Sequence, residues 1–174
     1  MIKLKKWLIW VGGLVLILSL ATNVYLYQQH MKTSRYVESA VRDATLSLKT
    51  AATMQIMPNV PNNSTQVQGT QVAQAASYLS SAAPFLNEMG IHHMQGIGTV
   101  LSLDTFPLMY PQMRNVNANQ MLKLVQYAYS QLNACFPSGP TGKLDFGKLQ
   151  TAINNIYQEM PPKVRQSNYN EVSS

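Results

Sequence analysis

The chain opens on a block of apolar residues that has no polar face. From Trp7 to Tyr27 no residue is charged; Lys3, Lys5 and Lys6 precede the run, and His30, Lys32 and Arg35 follow it. At about 1.5 Å rise per residue, a helix of this length covers roughly the 30 Å hydrocarbon layer of a bilayer. Trp7 and Trp10 at one end and Tyr25 and Tyr27 at the other fall where aromatic side chains reach the headgroups. The expected organisation is a short basic cytoplasmic N-terminus (1–6), a transmembrane signal-anchor (7–27), an extracytoplasmic helical domain (28–162) and a flexible polar tail (163–174). Ser19, Leu20 and Ala21 also form the small-x-small triplet at which signal peptides are cut, so a secreted protein released after Ala21 is the alternative.

Beyond Tyr27 the pattern changes to one apolar position in every three or four. Val37, Val41, Ala44, Leu48, Ala51 or Ala52 and Ile56 define one face of a helix over 36–57, which Pro58 ends. Thr33 and Ser34 are the place where that helix would break from the span, if it does not run on from it as a stalk. Glu38 lies four residues before Arg42, the favourable order for a helical ion pair. Pro58 to Ser64 reads as a loop, in which Asn62 and Asn63 each begin an N-x-S/T triplet.

A second helix is expected from about Gln66 to Ala83, with Val72, Ala75 or Ala76, Leu79, Ala82 or Ala83 and Leu86 on its face. Its alanines permit close approach to a neighbour. Pro84 is expected to kink or restart it, and Gly90 to cap its end. Between Ile91 and Val116, Gly96, Gly98, Pro107 and Pro111 interrupt an apolar stretch, which predicts short helices joined by turns. Packing between the helices is the plain role of this segment; an exposed Met and aromatic surface is the alternative.

The last two helices carry the clearest signals. Met121, Leu124 or Val125, Ala128, Leu132 and Cys135 keep helical spacing behind an Asn117/Gln120 capping box. Pro137 to Gly142 is a turn. Asp145 is placed to cap the final helix, Leu144 and Leu149 to staple it, and Ile153, Ile156 and Met160 to extend its apolar face to Pro161 and Pro162. The fold class is therefore all-α: one transmembrane helix followed by an antiparallel bundle of about four helices with an irregular Gly/Pro-containing segment.

Charge narrows the partners. Setting aside Lys3, Lys5 and Lys6 leaves ten basic residues against seven acidic ones, a net of +3. That is too sparse for a nucleic-acid surface. The scattered positive charge fits solubility, or contact with anionic lipid or wall polymer.

Candidate chemistry is thin. His92 and His93, flanked by Met89 and Met94, could form a soft-metal site only if the segment is extended, because adjacent helical residues diverge by about 100 degrees. Cys135 would need a histidine such as His92 or His93 to act as a nucleophile, and its place on an apolar face marks it as a small buried hydrophobe. Glu88 and Asp104 are the carboxylate pair, with His92 or His93 between them, that a cell-envelope hydrolase would use, and such an enzyme is the alternative function. Gly96-x-Gly98 lacks the third glycine and the strand of a phosphate loop and marks a bend or close helix packing. No catalytic, cofactor or metal residue is assigned. The expected function is a membrane-anchored module that binds or scaffolds envelope proteins, with the bilayer (through 7–27) and an envelope protein as partners and no nucleic acid.

Overall fold

The computed structural model describes residues 2–54, 64–109, 118–139 and 141–160, with side chains for 10–53, 67–103, 122–139 and 141–160. The expected loop at 58–63, the Asn62 and Asn63 triplets, the Asn117/Gln120 box and the polar tail lie outside them. Every element among the described residues is helical: α1 (Ile2–Met54), α2 (Ser64–Glu88), α3 (Met94–Met109), α4 (Ala118–Asn133) and α5 (Phe146–Glu159). The chain divides into two compact units, Met1–Tyr36 and Val37–Ser174.

The first unit is helical from Ile2, through Thr33 and Ser34 as well. Trp10 is 78% exposed and Leu14 62%, and Leu16, Ile17, Leu20 and Tyr27 are similarly bare, so the apolar surface runs all the way round. Among the described residues, this is the one helix long and apolar enough to cross a membrane or to act as a signal sequence.

The second unit buries one stripe of each helix. Val37, Val41, Ala44, Leu48 and Ala51 of α1 join Val72, Leu79 and Leu86 of α2, Ile97 and Leu101 of α3, Val125 and Leu132 of α4, and Leu149, Ile153 and Ile156 of α5 in a single core. The two polar groups deepest in it are satisfied locally. The Thr45 hydroxyl donates to the Val41 carbonyl at 2.7 Å, and the Gln68 amide donates to the Ala51 carbonyl at 2.8 Å, filling one of the acceptors that the end of α1 leaves open.

Two elements differ from the sequence expectation. The second helix neither stops at Ala83 nor restarts at Pro84; it continues through the proline to Glu88. Pro84 stands exposed, while the extra turn seals Leu86 into the core, and that burial offsets the lost backbone hydrogen bond. The end itself is as expected. Gly90 (φ 77) donates to Asn87 O at 3.0 Å and Ile91 to Leu86 O at 2.8 Å, a Schellman cap with Ile91 packed into the core beside Leu86.

The segment after Ile91 is the larger correction. Among its described residues there is no series of short helices: Met94–Met109 form one helix, α3, and residues 110–116 lie outside the description. Gly98 sits where α3 meets α2, and a Cβ there would strike the Ser80 hydroxyl and lie 3.1 Å from the Ala76 carbonyl and 3.2 Å from the Ser80 nitrogen. The glycine is a packing requirement of a helix crossing, not a helix break.

The C-terminal helices follow their signals. The Asp145 carboxylate accepts from the Lys148 backbone N–H at 3.1 Å at the start of α5, and Leu144 and Leu149 are both buried as a staple requires. The turn between α4 and α5 uses Gly139 (φ 81), and the Gly142 N–H donates to the Gly139 carbonyl at 2.8 Å.

Candidate functional site

Three places in the second unit could carry chemistry: the connection between α2 and α3, the connection between α4 and α5, and a groove between α2 and α3.

The first connection holds the histidines. His92 and His93 are both exposed, and Glu88 stands exposed on the last turn of α2. His93 adopts a left-handed backbone (φ 75), uncommon for a residue with a side chain, and its carbonyl accepts from the Ile97 N–H at 3.1 Å to open α3. This conformation lays the imidazole against the Tyr157 ring of α5, with centroids 4.1 Å apart and planes 16° from parallel. Desolvation against that surface, and secondarily the charge of His92, holds the His93 pKa below its ordinary 6.5. The neighbouring thioether of Met94 faces elsewhere: it is fully buried in the core, so the two histidines and Met94 do not converge. Among the described residues no three His, Cys, Asp or Glu side chains gather where they could hold a metal ion. The Asp104 side chain, and with it the Glu88 and Asp104 pair, lies outside the described residues.

The second connection holds Cys135, which follows α4 instead of belonging to it. Its thiol is fully buried and donates to the Gln131 carbonyl at 3.3 Å. Burial, reinforced by the Asp145 charge and opposed by Lys148, pushes its pKa up to about 11. At neutral pH this sulfur is a protonated packing atom with too little thiolate to attack a substrate.

The same connection is pinned by Arg42. Its guanidinium makes the expected ion pair with Glu38 at 2.7 Å, and the same nitrogen donates to the Gly142 carbonyl at 3.0 Å. It also lies over the Phe136 ring at 5.9 Å, so one α1 side chain holds both ends of the turn. Sequence reasoning found only the local pair; the contacts a hundred positions away have no signature along the chain.

The groove encloses about 280 Å³ and is lined by Ala73, Ala76, Ser77, Ser80, Gly98, Thr99, Ser102 and Leu103. Its wall carries hydroxyls and methyl groups but no ionisable side chain, and Glu88, His92, His93 and Cys135 all lie away from it. It can accept small apolar or hydrogen-bonding groups; it has nothing to transfer a proton with.

These features define an all-α bundle joined in sequence to a long apolar N-terminal helix. No protein-family model matches the chain, and neither the curated proteins nor the solved structures contain a significant match to it.

Proposed function

We propose that this chain is a membrane-anchored, extracytoplasmic helical module that binds or scaffolds other envelope proteins without catalysing a reaction. The observation that carries the reading is the exposed apolar surface from Trp10 to Tyr27, interrupted only by Ser19, Thr22 and Asn23. Water is a poor solvent for such a surface and a bilayer a good one. Lys3, Lys5 and Lys6 favour a cytoplasmic N-terminus, and the Gln-, Asn- and Ser-rich remainder suits the outside. Binding is favoured over catalysis because the described ionisable groups are dispersed: His93 stacks on Tyr157, Cys135 is protonated and buried, and the groove is lined without acid or base.

The test is fractionation of cells expressing a C-terminally tagged chain, with protease added from outside. A full-length protein that resists alkaline carbonate extraction and loses its tag to the protease supports the anchor and its orientation. A soluble product beginning at Thr22 means that the first unit is a cleaved signal, and the anchor is then abandoned. Crosslinking on intact cells reads the second half of the proposal, where recovery of a discrete envelope-protein adduct is expected.

A further inference from the structure

We infer that two copies of this chain pair in the membrane, parallel and in register, along a seam of Gly12, Leu16, Ser19, Asn23 and Leu26 in which the two Asn23 amides bond to each other. The inference rests on the anchor reading above.

Those five positions alternate in steps of four and three, the spacing that keeps one stripe facing a partner helix in a left-handed pair. All five are exposed. A Cβ built on Gly12 would meet nothing within 4 Å, and Ser19 is small, so a second backbone can approach closely at both turns.

Asn23 supplies the reason for a partner. The anchor from Trp7 to Tyr27 is centred on Ile17, which places Asn23 about 9 Å from the midplane of a layer whose half-thickness is roughly 15 Å. Its neighbour Thr22 meets its need within the helix, donating to the Leu18 carbonyl at 2.9 Å. The Asn23 amide makes no hydrogen bond to any described residue. In hydrocarbon an unmet amide is unfavourable, and its own helix has no free backbone donor to offer.

A second copy is the occupant that the amide itself selects. Two parallel helices related by a two-fold axis present the same residue at the same depth, and an amide is both donor and acceptor, so Asn23 faces its own complement. A helix of another sequence would need a polar group placed at that one level.

The full-length chain, labelled at a C-terminal tag with donor or acceptor fluorophores, is reconstituted in phosphatidylcholine vesicles, and energy transfer is followed as lipid dilutes the protein. Transfer is expected for the native chain, with Asn23→Leu weakening association roughly tenfold and Asn23→Gln retaining most of it. Ala21→Leu, on the opposite side of the helix, is expected to change nothing. Vesicle flotation separates the two ideas. A chain that does not float overturns the anchor and the pairing together; one that floats, with transfer unaltered by Asn23→Leu, overturns the pairing alone.

Discussion

Leu14 and Leu48 occupy the same helix, yet Leu14 is 62% exposed and Leu48 is fully buried. The difference lies in what surrounds them along the chain. Between Val37 and Thr53, Glu38, Ser39, Arg42, Asp43 and Lys49 interleave with the apolar residues, so one face has water as its natural neighbour and the other needs a core. From Trp7 to Ala21 nothing of the kind interrupts the run, and every face asks for the same apolar surroundings. One helical backbone thus carries two solvation problems. The second unit solves its own by folding, and the first keeps an apolar surface that water does not favour, as a membrane span or a signal sequence does.

The largest effect that sharpens this contrast is a truncation made in both units. Leu48→Ala is expected to destabilise the second unit by about 2–5 kcal/mol, as a deleted core leucine does, whereas Leu14→Ala should leave its unfolding midpoint unchanged. Denaturant unfolding of the chain in detergent micelles reads both. A matching loss from Leu14→Ala would mean that the first unit also contributes to the folded core.

The complementary substitution is a charge. Leu14→Lys places an ammonium near the middle of the apolar run, where insertion is disfavoured by about 2.5–3.5 kcal/mol. The carbonate-resistant fraction should fall accordingly, with the bundle's unfolding midpoint unmoved. Retention of full membrane association would break the comparison at its base.

Within the second unit, Gly98→Ala tests whether α3 is held by close contact with α2. The added methyl meets the Ser80 hydroxyl and two backbone atoms, so overpacking of about 1–3 kcal/mol is expected in the same unfolding measurement. Asp145→Ala is smaller, about 1 kcal/mol, because it removes one cap bond to the Lys148 N–H while leaving the Leu144 and Leu149 staple in place.

These two residues also mark how far the sequence could be read. Asp145 was legible because a cap is local: an acceptor three residues before a donor, bracketed by a spaced leucine pair. Gly98 was not. A glycine that ends a helix and a glycine that admits a neighbouring helix look alike along the chain, and only the position of Ser80 distinguishes them. The same limit explains Pro84, whose local penalty is fixed by chemistry but whose balance depends on Leu86 finding a core. At the candidate sites the sequence supplied the histidines, the cysteine and the carboxylates, and the bury-or-bind question for Cys135 was answered by its apolar spacing. It could not supply the positive φ of His93 or the Tyr157 ring sixty-four positions on, because stacking partners carry no periodicity.

That stack gives the smallest and most discriminating expectation. The folded pKa of His93 lies below the ordinary 6.5 that it regains on unfolding, so the unfolded chain takes up the proton more readily. The contribution of neutral His93 to stability is complete above pH 6.5, declines as pH falls through 6.5, and levels off below the folded pKa. His93→Gln should remove this part of the pH dependence, measured as the difference between variant and native unfolding midpoints from pH 7.5 to pH 5. The opposite sign has a physical basis too, since an imidazolium over a tyrosine ring gains cation–π attraction. At this position desolvation, and after it the neighbouring His92, penalise the charged form. A native chain that grows more stable on acidification, with the gain lost in His93→Gln, would show that the ring attraction prevails and that the stack on Tyr157 favours the protonated state.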